Sequence, residues 1–172
     1  MQNIEVKARL LDRAKVEKRL QALGARSLWT RRQLDTFYVT SRNWLKLREA
    51  EGRPPELISY SRATGGSGPR ASDYDVEILK DVASWRRLLE RVLPVEVIVE
   101  KERTLWIYQH TRVHLDRVEG LGEFIELETV VDGIGLEDAR DEAARVAETL
   151  RIDPAEQITV PYKDLLLSRR GK

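Results

Sequence analysis

Charged side chains recur at every second position in several short stretches of the chain. The paired positions are Glu5 and Lys7, Lys46 and Arg48, Lys101 and Arg103, and Glu126 and Glu128. A period of two places both members of a pair on the same face of a β-strand. Basic side chains on one face suit phosphate oxygens, because arginine offers a planar fork of donors and lysine a point charge. Two carboxylates about 7 Å apart along a strand repel each other unless a cation lies between them, so the acidic pair suits a divalent metal.

Apolar residues fill the alternate positions of these stretches and predict the strands that carry the charges. We predict about eight strands, near residues 4–10, 34–39, 45–48, 56–61, 74–79, 97–103, 112–116 and 125–128. The glycine-rich segment 64–69 between two of them is typical of a hairpin loop, with a lid over a site as the alternative.

Stretches with helical spacing lie between the predicted strands. They are a helix from Asp12 to Leu23, a second over 83–93, a third over 136–150, and a short helical turn over 161–166. Asp12 is a good N-cap, Gly24 a good C-terminal stop, and Pro94 ends the second helix.

These helices can cover the apolar side of the sheet, so that its charged side faces the interior of a closed or nearly closed sheet. About eight strands enclose a space just wide enough for side chains or one small ligand. Charges buried there must be paired or must bind something, and basic groups beside carboxylates suit a metal-bound triphosphate. We therefore predict an α+β fold: an eight-stranded antiparallel β-barrel with a charged interior, flanked by helices. Any single strand also fits a sheet that turns its charged face to solvent.

Composition narrows the classes of function. The 172 residues predict a single domain, 1–172, and the 30 Lys+Arg nearly cancel the 29 Asp+Glu, which disfavours a general nucleic-acid binder. Cysteine is absent and there are two histidines, so thiolate chemistry is excluded and a metal would be held mainly by carboxylates, as suits Mg²⁺ or Mn²⁺. No apolar run is long enough to span a bilayer, and we expect a cytoplasmic protein with no membrane partner.

Seven short sequence motifs follow one another along the chain in a characteristic order. They lie in segments 3–7 (Asn-Ile-Glu-Val-Lys), 33–38, 45–49, 58–62, 99–103, 114–128 and 162–166. Each segment alone is a weak signal. The ordered set resembles the CYTH family, which includes class IV adenylate cyclases, thiamine triphosphatases and other triphosphate-tunnel enzymes. The family's marks are E-x-E-x-K, L-K-x-R, V-x-K-x-R and Y-x-D-L-L.

The resemblance implies roles for individual residues. Phosphate oxygens would be bound by Lys7, Lys46, Arg48, Arg62, Lys101, Arg103 and Arg112. A divalent cation, Mg²⁺ or Mn²⁺, would be held by Glu5, Asp116, Glu126 and Glu128. Direct parts in catalysis would fall to Glu5, Lys7 and Glu126. His114 is expected to line the wall rather than act as a base, and solvation or local pairing is the alternative for each charged side chain.

The resemblance also implies a metal-dependent enzyme that acts on a triphosphate, with ATP as the first choice. Cyclisation of ATP to cyclic AMP and pyrophosphate, as in a class IV adenylate cyclase, is the reading we favour here. Hydrolysis of an inorganic or organic triphosphate such as thiamine triphosphate needs the same cradle and is the alternative. Asn3 stands where the family has its first glutamate, and this departure motivates a third reading, a non-catalytic nucleotide- or polyphosphate-binding protein. A homodimer through the outer helices stays open.

Overall fold

The computed structural model describes residues 3–62 and 72–170, and the side chains of 3–59 and 75–170. The glycine-rich segment 64–69 therefore lies outside the described residues. The strands are β1 (Asn3–Arg9), β2 (Arg26–Tyr38), β3 (Trp44–Ala50), β4 (Glu56–Arg62), β5 (Ser72–Ile78), β6 (Val95–Tyr108), β7 (Thr111–Val118) and β8 (Gly122–Val130). The helices are α1 (Arg13–Leu23), α2 (Val82–Val92), α3 (Leu136–Leu150) and α4 (Tyr162–Arg170), with a 3₁₀ turn at Pro154–Glu156.

One antiparallel sheet contains all eight strands, in the order β1-β8-β7-β6-β2-β3-β4-β5. The predicted α+β fold with eight antiparallel strands and flanking helices is confirmed, with one correction. The sheet is curled but not closed, because β1 and β5 are its edges and no ladder joins them within 3–62 and 72–170. Alternation predicts strands but not whether the first and last of them meet, which depends on tilt and stagger.

Two strands are much longer than predicted. β2 has 13 residues and β6 has 14, and they pair with each other along most of their length. Their register shifts between Ser27 and Trp29 and between Phe37 and Tyr38. Such irregularities increase the local twist and help a sheet to curl. The sequence around 26–33 lacks clean alternation, so the prediction began this strand too late.

The convex face of the sheet carries the main hydrophobic core, as predicted. α1 and α3 pack on the outward residues of β1, β6, β7 and β8, where Leu20, Leu115, Leu127 and Leu150 are almost fully buried. α2 covers a smaller cluster around Leu47. Burial of each large aliphatic side chain contributes roughly 1.5–3 kcal/mol. The alternate residues of the same strands must then face the concave side.

The ends of the first and third helices agree with the sequence prediction. The side chain of Asp12 accepts a hydrogen bond from the amide of Lys15, and Gly24 ends α1 in the left-handed conformation at φ 83°. Glycine takes this conformation without a side-chain penalty. α3 has the predicted bounds, Leu136–Leu150. Within 3–62 and 72–170, no helix combines the length and apolar character that a membrane span requires.

The concave face is charged at one end and apolar at the other. At the apolar end, Phe37, Val99 and Phe124 form a cluster with Tyr162 of α4. Lys163 fastens the same helix, because its Nζ lies 2.9 Å from Oε2 of Glu96. The sequence predicted a short helical turn over 161–166, whereas the structure has a nine-residue helix that also closes one end of the concave face.

Candidate functional site

The first group of site residues surrounds Arg103 and joins five elements. We call it the Arg103 cluster, and its members are Lys7 of β1, Arg103 of β6, Asp116 of β7, Glu126 of β8 and Tyr162 of α4. Nε and Nη2 of Arg103 donate to Oδ1 and Oδ2 of Asp116 at 2.7 and 2.6 Å. Nη2 also donates to Oε2 of Glu126, and Nζ of Lys7 lies 3.0 Å from its Oε1. The hydroxyl of Tyr162 donates to Oδ2 of Asp116 at 3.0 Å.

Strand register explains this cluster. Arg103 stands directly opposite Asp116 in the β6–β7 ladder, and Lys7 opposite Glu126 in the β1–β8 ladder. Directly opposed residues have their Cβ atoms within about 5.5 Å, which long side chains easily bridge. Asp116 is fully buried, and both its oxygens are engaged.

The charges of the Arg103 cluster are held ionised by one another. Burial lowers the pKa of Arg103, but the carboxylates of Asp116 and Glu126 outweigh it and leave this pKa well above its usual value. Burial likewise works against ionised Glu126, yet Arg103 and Lys7 hold its pKa far below the usual range. Buried charges of this kind are tolerated because they are paired and hydrogen-bonded.

A second group lies across the concave face, on β2 and β3. We call it the Asp35 cluster: Asp35, Lys46 and Arg48. Nε and Nη2 of Arg48 donate to Oδ1 and Oδ2 of Asp35 at 2.7 and 2.9 Å, and Nζ of Lys46 lies 3.3 Å from Oδ2. The pKa of Lys46 is lowered to about 7, mainly by burial. Repulsion from Arg48 and Lys101 lowers this pKa further, and the attraction of Asp35 does not compensate for the two effects.

Lys101 lies between the two clusters on β6. It is 5% exposed, and its Nζ is 5.3 Å from the ring centre of Tyr162. Burial, followed by repulsion from Arg103, lowers the pKa of Lys101, and Asp116 and Asp35 act in the opposite direction. A bound anion would stabilise the charged form of a buried lysine in this position, because it offsets the loss of hydration around the ammonium group.

A third group, the histidine–carboxylate group, consists of His114, Glu126 and Glu128 on β7 and β8. One ligand atom from each lies within 4.8 Å of the others. Nδ1 of His114 is 3.6 Å from Oε1 of Glu128 and 4.0 Å from Oε2 of Glu126. Burial raises the pKa of Glu128, and repulsion from Glu126 adds to it against the lowering by Arg103. A divalent cation fits this donor set, because it would relieve that repulsion.

The remaining predicted residues lie at the margin of the concave face. Glu5 stands opposite Glu128 in the β1–β8 ladder, and Arg112 opposite Glu128 in the β7–β8 ladder. Both side chains are exposed. Arg62 belongs to β4, but its side chain lies outside the described residues. Lys7, Lys46, Arg48, Lys101, Arg103, Asp116, Glu126 and Glu128 are thus the predicted residues that the structure brings onto the inner part of this face.

Asp35 and Tyr162 were missed as site residues although both lie in segments that carry the family resemblance. Asp35 holds Arg48 and Lys46, and Tyr162 bonds to the carboxylate that holds Arg103. Strand alternation could have indicated Asp35, because it lies two residues before Phe37 and therefore on the same face of β2, and Phe37 lies on the concave face. Tyr162 gave no such signal, since its position depends on how α4 docks.

Solved structures with this fold cover nearly the whole chain. A Pyrococcus horikoshii OT3 protein has a TM-score of 0.82 at 20% identity and covers 95% of this chain and 98% of its own. A Vibrio parahaemolyticus protein named as a candidate adenylate cyclase has a TM-score of 0.80 at 20% identity and covers 97% and 98%. A Hippeastrum protein described as having a dominant triphosphatase activity has a TM-score of 0.65 at 19% identity and covers 99% and 96%. At these identities the likeness shows a common fold.

A search of curated protein sequences gives no significant match. The family model of the CYTH domain, in contrast, matches residues 1–162. This range includes every strand of the sheet and Tyr162, which closes one end of the concave face. The chain therefore belongs to the CYTH family.

Proposed function

We propose that this protein is a metal-dependent enzyme that binds a triphosphate on the concave face of its sheet and hydrolyses the terminal phosphate. The observation that carries the proposal is the convergence of buried and half-buried cations on the concave face that also carries the histidine–carboxylate group. The cations are Lys7, Lys46, Arg48, Lys101 and Arg103. Arginine and lysine held by carboxylates in this way are oriented before a ligand arrives, which lowers the free-energy cost of binding.

The two arginines suit phosphate oxygens because their orientation is fixed. Asp116 holds Nε and Nη2 of Arg103, and Asp35 holds the same two nitrogens of Arg48. Nη1 of each guanidinium is outside these bidentate bonds. We propose that Asp116 and Asp35 are positioning residues for the arginines, and that Asp116 therefore contributes to phosphate binding rather than to metal binding.

Glu126 and Glu128, with Glu5 beside them, would hold the divalent cation. Glu5 is exposed and stands opposite Glu128, so it can complete the donor set from the solvent side. A bound Mg²⁺ or Mn²⁺ supplies charge neutralisation at phosphate oxygens and activation of the attacking oxygen. Lys7 lies between the proposed metal ligands and the phosphate-binding cations. Its Nζ contacts Glu126 and lies 4.4 Å from the ring centre of Tyr162.

Hydrolysis requires fewer substrate-orienting contacts in the site than cyclisation does. Water needs no pocket of its own, whereas attack by a ribose hydroxyl on the α-phosphate needs the ribose and base held in one orientation. Among the described aromatic side chains of the concave face, Phe37, Phe124 and Tyr162 are packed in the apolar cluster under α4, and the half-buried Trp44 lies against Lys163. Phe37 and Tyr162 contact cations there, and none of the three side chains in the cluster is open for stacking with a base. These observations support hydrolysis over the cyclase reading that the sequence favoured.

Cyclisation of ATP remains the second candidate, and it depends on the resemblance of the strand motifs. A third candidate, binding without turnover, has one observation in its favour. Oδ1 of Asn3 is buried and without a hydrogen-bond partner in the described structure. An asparagine brings no negative charge to this position, so a metal held there would be held more weakly.

One experiment separates these functions. The purified chain is incubated with inorganic tripolyphosphate, thiamine triphosphate or ATP, each with Mg²⁺ or Mn²⁺, and the products are identified by chromatography. Orthophosphate from any of the three supports hydrolysis. Cyclic AMP with pyrophosphate would overturn hydrolysis in favour of cyclisation, and tight binding without products would favour the third candidate. Arg48→Ala should abolish turnover, and Arg53→Ala in the exposed turn after β3 is the matched control.

A further inference from the structure

His114 is buried at the centre of the charged end of the concave face, and one of its nitrogens has no partner. The residue is 6% exposed, and Nδ1 makes no hydrogen bond to any described residue. A buried polar atom left unpaired costs roughly 1–3 kcal/mol. Such an atom in a native structure calls for a physical reason, and a missing ion is one of the common ones.

The neighbours of Nδ1 cannot satisfy it as they stand. Carboxylate oxygens of Glu128 and Glu126 lie 3.6 and 4.0 Å from it. Carboxylates only accept hydrogen bonds, and both distances exceed hydrogen-bond length. A neutral imidazole with its proton on Nε2 likewise offers only a lone pair at Nδ1, so neither this nitrogen nor the two carboxylates can satisfy one another.

Three lone-pair donors therefore face one another. Ligands about 2.1 Å from a single ion lie roughly 3 Å apart at right angles and roughly 4.2 Å apart across the ion. The separations from Nδ1 fall inside or close to this range, and all three donor atoms lie within 4.8 Å.

We propose that Nδ1 of His114 is a direct ligand of the divalent cation, together with Glu126 and Glu128, and that this nitrogen makes the site prefer Mn²⁺ over Mg²⁺. The inference rests on the metal site of the proposed function and deepens it. Imidazole suits first-row transition metals, whereas Mg²⁺ prefers oxygen ligands throughout. Asn3 in place of a carboxylate acts in the same direction, because Mg²⁺ depends more on ligand charge. The ring must carry its proton on Nε2 for Nδ1 to bind the ion.

The chain has two histidines, and this makes the test direct. The full chain is stripped of metal with a chelator and titrated with Mn²⁺ and separately with Mg²⁺. Mn²⁺ binding is followed by electron paramagnetic resonance, and coupling of the bound Mn²⁺ to ¹⁴N is measured by electron spin echo envelope modulation. The second histidine, His110, lies in the turn between β6 and β7 with its side chain 47% exposed and bonded to Glu142. His110→Gln is therefore the control.

The proposal expects ¹⁴N modulation in the wild-type chain and in His110→Gln, and tighter binding of Mn²⁺ than of Mg²⁺. In His114→Gln the modulation should vanish and the ratio of Mn²⁺ to Mg²⁺ affinity should fall about tenfold or more. If His114→Gln fails to fold, modulation with the imidazole pattern that persists in His110→Gln still assigns the nitrogen to His114, because the chain has two histidines.

Mn²⁺ that binds without ¹⁴N coupling, or modulation that disappears in His110→Gln, would overturn the inference while leaving the metal-dependent function intact. Equal or tighter binding of Mg²⁺ would overturn the stated preference. Failure of the wild-type chain to bind either ion would overturn the metal site itself, and calorimetry with tripolyphosphate would then show whether the phosphate cradle survives without it.

Discussion

The Asp35 cluster and the Arg103 cluster have the same central unit, but the first has a surplus of positive charge, and the second, together with the neighbouring Glu128, has a surplus of negative charge. In each, an arginine and an aspartate on neighbouring antiparallel strands form a bidentate pair. Lys46 adds a second cation to Asp35, so that side carries more positive than negative charge. Glu126 and Glu128 stand beside Arg103, and with Asp116 they outnumber the cations Arg103 and Lys7.

The concave face is therefore polarised from β3 towards β8. A polyanion is attracted to the Asp35 side, a divalent cation to the other, and Lys101 lies between them. A metal-bound triphosphate satisfies both sides at once. The aspartates thus set the orientation of the arginines, whereas the residues added around each pair set which ion it attracts.

The largest effect is expected for removal of the central cation on the negative side. Arg103→Ala leaves Asp116 and Glu126 buried without their main partner, so the free energy of unfolding should fall by about 3–5 kcal/mol. Urea unfolding measures this change. Arg117→Ala on the opposite face of β7, where the side chain is exposed and pairs with Glu123, should change stability by less than about 0.5 kcal/mol. Equal effects of the two substitutions would contradict the buried pairing.

Glu128→Gln should separate metal binding from stability. The affinity for Mn²⁺ should fall about 10–100-fold, because a charged ligand is lost. Without metal the variant should be at least as stable as the wild type near pH 7. The pKa of Glu128 is raised in the folded state, mainly by burial. The protonated side chain therefore contributes stability below the unfolded-state pKa of this carboxyl, and that contribution is lost as pH rises through the higher folded-state pKa. Ionised Glu128 is accordingly unfavourable at neutral pH. Metal titration and thermal unfolding check the two halves, and a marked loss of stability in the metal-free variant would refute the assignment.

Lys46 should make tripolyphosphate binding sensitive to pH. The protonated amine binds the anion, and since its pKa is about 7 the protonated fraction of free protein falls as pH rises above 7. Affinity measured by calorimetry between pH 7.5 and 9.5 should therefore fall, by at most about tenfold per unit. Lys46→Arg should flatten this dependence, whereas Lys80→Arg at an exposed position should not. A slope unchanged by Lys46→Arg would assign it to another group.

The smallest effect is expected at the edge of the negative side. Asn3→Glu adds a carboxylate two residues from Glu5 on the same face of β1. It should raise the affinity for Mg²⁺ more than that for Mn²⁺, by a few-fold, because Mg²⁺ gains more from ligand charge. Parallel titrations with the two ions measure the change. No gain for either ion would mean that Asn3 is not what weakens the metal site.

Much of this arrangement could be predicted because strand parity is local. Alternation placed Lys46 with Arg48, Lys101 with Arg103, and Glu126 with Glu128, and the structure keeps each pair on one face. Alternation could not predict which residues on neighbouring strands pair with these side chains. That Asp35 meets Arg48 depends on the β2–β3 register, which arises from turns and bulges rather than from any one segment.

The buried histidine and the closed end of the concave face were outside the reach of sequence for a different reason. His114 was expected to line the wall, and the structure does bury it, but its unpaired nitrogen becomes visible only when β7 and β8 are paired. The place of Tyr162 depends on docking of α4 over residues from four strands, β2, β6, β7 and β8. Such contacts join distant parts of the chain, and no local pattern encodes them.

The bond from Tyr162 to Asp116 ties the last helix to the candidate site. That single hydroxyl reaches the carboxylate which orients Arg103, so α4 both covers the apolar end of the concave face and braces a buried guanidinium. Truncation of the chain before residue 162 should therefore expose that end of the face to water and loosen the guanidinium in one step. Tags, fusions and proteolytic cleavage near α4 should disturb the proposed phosphate site, although they lie far from Arg103 in sequence.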